Sequence, residues 1–265
     1  MAPAELRRGR IVLALDTGSL AGPALEAAAA LAAGLRSELS ALFIEDERLL
    51  RLAALPFAHE IGLSSAQRQR IGLPDMERAL RIQAERLRQV VGQTARRFTL
   101  TWTLEVVRGE ILAASLERVR PEDLLVLGKG HLPRPDHGGA RAIDFPALAA
   151  RPVIVLFDGS DSALRALEAG HALARIIPAE LSVLVPAATP QVLRDRRTRA
   201  AQWLAEHGVA ARHLSVASRD PATLAAAVRA QGGGILVWPA PPDTRESAVL
   251  ARLIEEVGCP VVVLP

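Results

Sequence analysis

The stretch Ile11-Val-Leu-Ala-Leu-Asp16 returns 142 residues later as Val153-Ile-Val-Leu-Phe-Asp158. In both places a run of apolar residues ends in an aspartate, which is typical of a strand buried on both faces of a parallel sheet. The same offset, without a gap, pairs identical segments: ALEA at 24–27 and 166–169, ALA at 30–32 and 172–174, ELS at 38–40 and 180–182. We interpret the chain as two tandem copies of one domain, residues 1–150 and 151–265.

Each copy alternates strands with helices. The first strand is followed by a turn, a helix rich in Ala and Leu, and a second strand, and the later halves of the copies correspond more loosely. The third and fourth strands are predicted at 101–107 and 124–127 in copy one, and at 211–217 and 235–238 in copy two. Copy two then adds a helix at 246–257 and a last strand at 261–264. The alternation predicts an α/β fold of right-handed βαβ units around a parallel sheet.

The two copies differ in two respects. Copy one carries an insertion, residues 45–74, with a leucine-rich amphipathic stretch. A single predicted strand, residues 153–157, lies between the fourth strand of copy one and the first helix of copy two. We therefore expect copy one to lack a fifth strand of its own, with the boundary near Arg151 forming a shared sheet edge.

The composition favours a folded chain. Half of the 265 residues are apolar and 23% are charged, which is enough to bury a sizeable core. The single cysteine, Cys259, excludes an intramolecular disulfide framework and a zinc site of several cysteines. The first fifteen residues lack the pattern of a secretory signal, and the apolar stretch 20–35 is too short to span a bilayer. We expect a soluble, cytoplasmic protein.

The charge pattern argues against nucleic acid as a partner. There are 32 basic and 29 acidic residues, for a formal net charge of +3, and all but one of the basic residues are arginine. Such a preference for arginine is more typical of genome composition than of a nucleic-acid surface. We expect binding to neither nucleic acid nor a membrane, and the exception, Lys129, gains interest from its position.

Three features follow predicted strands at their carboxyl ends, where parallel α/β sheets bind ligands. Asp16 and Asp158 each end a first strand. Such a carboxylate can bind a sugar hydroxyl or a base edge, or it can cap the following helix, the interpretation we favour for Asp158. The segment Gly128-Lys129-Gly130 follows the fourth strand of copy one, where glycine N–H groups could approach a phosphate, or where the chain simply forms a loop. The matching loop of copy two, Trp238-Pro-Ala-Pro-Pro242, has no glycine, so a phosphate cradle is not expected there.

Catalytic and metal-binding patterns are sparse. His131, Asp136 and His137 have a spacing that fits no helix face, so we expect no metal site. The arginine cluster at 194–199 is interpreted as the solvated face of a helix. Since no arrangement of nucleophile and base can be inferred, we expect no catalytic residues.

Taken together, these motifs resemble those of the universal stress protein family. The resemblance rests on IVLALDTGS at 11–19 and LLVLGKG at 124–130 in copy one, and on VLFDGS at 155–160 and VLARLIEEVGCPVVVLP at 249–265 in copy two. It covers nearly the whole chain as two tandem domains. It implies a Rossmann-like parallel sheet with strand order 3-2-1-4-5, frequent dimerisation and, in one subgroup, an adenine nucleotide site. That site uses the aspartate after the first strand and a G-x-x-G, nine-residue spacer, G-S/T loop after the fourth.

Carried over to this sequence, the family pattern is partly kept. Asp16 and Asp158 match the aspartate, and Gly128 matches the first glycine of the loop. His131 stands where the second glycine belongs, and Arg141 where the third belongs. Copy two has no matching glycine, so its nucleotide loop is degenerate and we expect no nucleotide there.

The sequence thus predicts a non-catalytic stress-response or regulatory protein that binds ATP or AMP weakly in copy one, through Asp16, Gly128, Lys129 and Gly130. Asp158 is the counterpart of Asp16 in copy two. One alternative is a ligand-free interaction module in which residues 45–70 dock a protein partner or a second copy. The other is an adenylyl-transferring enzyme of related α/β fold, against which the absence of an HxGH-type signature argues.

Overall fold

The computed structural model describes residues 9–16, 22–55, 59–61, 68–70, 72–128, 151–239 and 244–264. The elements of copy one are β1 (Ile11–Asp16), α1 (Pro23–Leu35), β2 (Leu39–Glu45), α2 (Glu47–Ala53), β3 (His59–Ile61), β4 (Arg68–Arg70), α3 (Leu73–Phe98), β5 (Trp102–Arg108), α4 (Ile111–Leu116) and β6 (Leu124–Leu127). Those of copy two are β7 (Val153–Leu156), α5 (Asp161–Ile176), β8 (Leu181–Pro186), α6 (Pro190–Glu206), β9 (Arg212–Val216), α7 (Pro221–Ala230), β10 (Ile235–Trp238), α8 (Thr244–Glu256) and β11 (Val261–Val263). The α/β alternation predicted from the sequence is confirmed, with strand limits that shift by a residue or two.

A nine-stranded sheet runs through both copies in the order β5-β2-β1-β6-β11-β10-β7-β8-β9. Copy two forms the complete 3-2-1-4-5 arrangement, and the described strands of copy one form 3-2-1-4. Neighbouring strands within each copy are parallel, whereas β6 and β11 pair antiparallel where the copies meet. In that pair Val262 of β11 lies opposite Val126 of β6.

The alternating apolar residues of each strand build one core on each face of the sheet. In β1, Ile11, Leu13 and Leu15 lie on the side of the sheet that is covered by α1, α3, α5 and α6. Val12 and Ala14 point the other way, to the side covered by α4, α7 and α8. Because both faces are covered, the strands read as continuous apolar runs.

Among the described residues, copy one supplies four strands to this sheet, in agreement with the prediction that it lacks a fifth strand of its own. The expected shared edge near Arg151 is wrong. The strand that follows Arg151, β7, lies wholly within copy two, between β10 and β8. The position beside β6 is taken by β11 from the far end of the chain, which pairs backbone groups of β6 that would otherwise form a sheet edge.

The insertion of copy one contains the helix α2 and a small antiparallel hairpin, β3 with β4. The sequence limits of the two domains stay a prediction. None of the helices within the described ranges combines the length and the apolar composition that a membrane span needs.

Candidate functional site

Each copy has a switch point where the strand order changes direction, between β1 and β6 in copy one and between β7 and β10 in copy two. Ligands of open α/β sheets bind beyond the carboxyl ends of the strands at such a point. We call the space beyond β1 and β6 the copy-one crevice, and the space beyond β7 and β10 the copy-two crevice. The predicted residues of both copies can be located relative to these two places.

Asp16 and Gly128 border the copy-one crevice. Ala14 of β1 pairs with Leu127, the last residue of β6, so Gly128 lies one register position before Asp16, which ends β1. Asp16 is partly buried, and it does not cap α1, because the N-cap of that helix is Gly22. The structure therefore removes the helix-cap interpretation of Asp16. Lys129 and Gly130 lie outside the described residues, as do His131 and Arg141 at the remaining loop positions.

Gly128 has a packing role of its own. It is buried at the end of β6, and a Cβ built on it would overlap the Cβ of Ala24 in the first turn of α1. The absence of a side chain at 128 lets α1 lie close against the end of β6. A glycine here is thus explained by packing before any ligand is considered.

An ion pair that the sequence analysis missed lies at the same edge of copy one. Glu45 is buried at the end of β2, and its Oε2 lies 3.0 Å from Nε of Arg108 at the end of β5. Nη2 of Arg108 lies 3.8 Å from Oε1 of Glu77 on α3. Glu45 and Arg108 are direct cross-strand neighbours, so opposite charges in register were the signal that could have revealed them.

In copy two, both oxygens of Asp158 accept hydrogen bonds. Oδ1 accepts from the backbone nitrogen of Ser160 at 2.9 Å and from its Oγ at 2.6 Å. Oδ2 accepts from Nη1 of Arg219 at 3.0 Å. Burial alone would raise the pKa of Asp158, but the hydrogen bonds from Ser160 and the charge of Arg219 outweigh it and hold the pKa below its ordinary value.

The expectation that Asp158 caps the following helix is wrong. The N-cap of α5 is Ser160, whose Oγ accepts from the backbone nitrogen of Ala163. Asp158 instead orients that serine. The loop that ends β7 therefore joins the strand, the helix cap and Arg219 in one hydrogen-bonded unit.

Arg219 also lies over an aromatic ring. Its Cζ lies 5.8 Å from the ring centroid of Trp238, which ends β10 and is 1% exposed. This is the geometry of a cation–π contact. Pro239, the counterpart of Gly128, follows directly and has no N–H to offer a phosphate.

The arginine cluster of α6 is only partly the solvated face that the sequence suggested. Arg196 donates to the carbonyl of Pro186 at the end of β8. Arg199 donates to the carbonyl of Gly159 and forms an ion pair with Asp161. These two arginines therefore hold the β7–α5 loop against α6.

Among the described residues, no group of three or more His, Cys, Asp or Glu side chains could hold a metal ion. The sequence candidates His131, Asp136 and His137 lie outside those residues, so the expected absence of a metal stays a prediction.

Comparison with solved structures identifies the fold. A universal stress protein from Archaeoglobus fulgidus is 14% identical over 95% of this chain and 95% of that one, with a TM-score of 0.56. A protein from Pseudomonas aeruginosa assigned to the universal stress proteins is 15% identical over 98% of this chain and 94% of that one, with a TM-score of 0.50. The chain has the universal stress protein fold.

The universal stress protein fold is thus established by three-dimensional likeness. A scan of the sequence against protein-family models finds no match, and neither does a comparison with curated proteins. A universal stress protein in complex with cAMP is 20% identical over 43% of this chain and 96% of that one, with a TM-score of 0.33. At that degree of likeness its ligand carries no argument about this chain.

Proposed function

We propose that the protein is a non-catalytic regulatory protein of the stress-response type that binds an adenine nucleotide, ATP or AMP, in the copy-one crevice. The observation that carries the proposal is that Asp16 and Gly128 lie on the two neighbouring strand ends, one register position apart, at the switch point of copy one. In copy two, by contrast, Pro239 stands where copy one has Gly128, and the matching Asp158 accepts hydrogen bonds from Ser160 and Arg219.

The residue types fit the two ends of a nucleotide. A carboxylate such as Asp16 accepts hydrogen bonds from ribose hydroxyls or from a base amino group. Backbone N–H groups of a glycine-rich segment such as Gly128-Lys129-Gly130 are donors that phosphate groups accept from, and Lys129 carries a positive charge. In this proposal these groups only bind the nucleotide, and none of them takes part in a group transfer.

Isothermal titration calorimetry of the full chain with ATP and with AMP tests the proposal. We expect one nucleotide per chain, with affinity reduced at least tenfold in Asp16→Asn and in Lys129→Ala. Asp158→Asn is the matched control in copy two and should leave the affinity unchanged. No binding tighter than millimolar, or equal affinity in Lys129→Ala and the wild type, would refute it.

The absence of turnover has its own test. ATP incubated with the purified protein should remain intact, without release of phosphate or pyrophosphate. Sustained release of pyrophosphate, lost in Asp16→Asn, would instead favour the adenylyl-transferring enzyme.

A second candidate function is self-association through the insertion of copy one. It is favoured by two exposed leucines that frame the end of α2, Leu52 at 57% and Leu55 at 40% exposure. We expect light scattering after gel filtration to show a dimer that dissociates in the double variant Leu52→Ser/Leu55→Ser. Val192→Ser, at an exposed valine of α6, is the control. An unchanged mass in the double variant would exclude this candidate.

Location in the cytoplasm stays a prediction, as do a protein partner and the lack of nucleic-acid and membrane partners.

A further inference from the structure

We propose that Arg219 closes the copy-two crevice from within the chain, and that the residue before the N-cap of the helix that follows the third strand decides whether a ligand can enter. That residue is Arg219 in copy two and Gly109 in copy one. The second half of the proposal rests on the proposed nucleotide function of copy one; the first half does not.

The reach of Arg219 is the first argument. It follows β9, the edge strand, yet it contacts Asp158 at the end of β7 and the ring of Trp238 at the end of β10. Since β9 and β10 are three strand positions, or about 14 Å, apart, the chain from the end of β9 to the guanidinium passes the end of β8 to reach the neighbouring ends of β7 and β10. The loop and its guanidinium therefore cover the ends of the strands between which a ligand would enter.

The chemistry of the contacts is the second argument. The guanidinium satisfies the carboxylate that would otherwise receive a ligand, and it stacks over the aromatic ring beside it. A ligand that enters must break an ion pair whose two side chains are 27% and 16% exposed. Partial burial makes that pair stronger than an ion pair in water.

Copy one has a glycine at the position that matches this arginine. The N-caps of the helices after the third strands are Glu110 and Asp220, and the residue before each cap is Gly109 and Arg219 respectively. Gly109 has a φ of +148°, a conformation that side chains rarely adopt, so the copy-one loop is built for a glycine.

The arginine that ends the third strand of copy one is directed elsewhere. Arg108, one residue earlier, is held by Glu45 on β2 and by Glu77 on α3. Arg108 therefore contacts the neighbouring strand β2 and the helix α3, whereas Arg219 extends to the switch point of its copy.

Closure is tested without any nucleotide by NMR of the Trp238 indole N–H, assigned with Trp238→Phe. This group is buried and has no hydrogen-bond acceptor among the described residues, so its exchange with solvent reports on the cover above it. Arg219→Ala should accelerate that exchange at least tenfold, whereas Arg194→Ala, at an exposed arginine, should not change it. Equal exchange in Arg219→Ala and the wild type would overturn the proposed closure.

Ligand entry is tested with adenosine, since Pro239 removes the N–H that a phosphate would need. Millimolar adenosine should shift the Trp238 signal in Arg219→Ala and leave it unmoved in the wild type. If the exchange accelerates but adenosine shifts nothing, Arg219 covers the crevice without deciding ligand entry, and the second half of the proposal fails.

The reverse substitution, from glycine to arginine, is made in copy one. Gly109→Arg should lower ATP affinity at least tenfold, and Gly109→Ala, which carries the same backbone strain without the guanidinium, should lower it less than threefold. Equal losses in both variants would overturn the role of the guanidinium. A wild-type chain that binds no nucleotide would refute the proposed function of copy one, while the Trp238 experiment would still decide closure in copy two.

Discussion

Asp123 accepts two hydrogen bonds from Arg10. Its Oδ1 lies 2.7 Å from the backbone nitrogen and its Oδ2 lies 2.8 Å from Nη2 of the guanidinium. The carboxylate is 1% exposed on its side chain and also accepts from the backbone nitrogen of Arg120. Arg10 precedes β1 and Asp123 precedes β6, so this contact joins the starts of the two strands whose ends border the copy-one crevice.

Replacing Asp123 with Asn should destabilise the protein by about 1–3 kcal/mol, because the buried group loses its charge-assisted hydrogen bonds while the partly exposed Arg10 is still solvated. Burial would raise the pKa of Asp123, but the hydrogen bonds and charge of Arg10, with the Arg120 N–H, hold it below its ordinary value. A lowered folded-state pKa contributes stability above the unfolded pKa of about 4, and that stability is lost as the pH falls through the folded pKa.

Urea unfolding of Asp123→Asn at pH 7 and at pH 3 measures both effects. The difference from the wild type should shrink at the lower pH. Glu117→Gln, whose ion pair with Arg118 is exposed, is the control and should change stability by less than about 0.5 kcal/mol. A deficit that is equal at both pH values would contradict the assigned role of the charge.

Gly128→Ala should destabilise the chain by about 1–3 kcal/mol, because the new Cβ overlaps Ala24 and the strand end cannot move away from α1 without loss of packing. Ala24→Gly removes the obstructing methyl group. The double variant should therefore be more stable than Gly128→Ala alone, despite the cost of a helical glycine. Urea unfolding of the three variants measures this coupling; simple additivity of the two losses would show that the overlap is relieved elsewhere.

The arrangement of the strands was predictable wherever it depends on local pattern. The buried runs at β1 and β7 and the fourth strands β6 and β10 each carry their own apolar signal and lie where the sequence placed them. The place of β11 was not predictable, because pairing between β6 and a strand far along the chain leaves no mark in either segment. Both are short apolar runs that fit any central position of a sheet.

The candidate site shows the same division. Asp16 and Gly128 were found because strand ends locate ligand sites in parallel sheets. The contacts of Arg219 with Asp158 and of Arg108 with Glu45 join residues 61 and 63 positions apart, so they follow from the fold and not from a motif. Only the comparison of the two copies, glycine in one and arginine in the other, marks Arg219 as unusual.

Cys259 should be unreactive in the folded protein. Burial raises the pKa of its thiol to about 11, so about one molecule in a thousand carries a thiolate at pH 8. A disulfide exchange reagent followed by absorbance should detect no thiol over minutes in buffer and one thiol per chain in guanidinium chloride. Immediate reaction of the native protein would show that this thiol is accessible, contrary to its buried position.

Val262→Pro should destabilise both copies together. Val262 is fully buried in β11, between Val126 of β6 and Val237 of β10. Proline removes a backbone donor from a central strand, with an expected cost of about 3 kcal/mol or more, whereas Val262→Ala keeps the donor and loses only side-chain packing. Hydrogen exchange followed by mass spectrometry should show faster exchange in β6 of copy one as well as in β10 of copy two. Faster exchange confined to β10 would mean that the strands of copy one stay paired without β11.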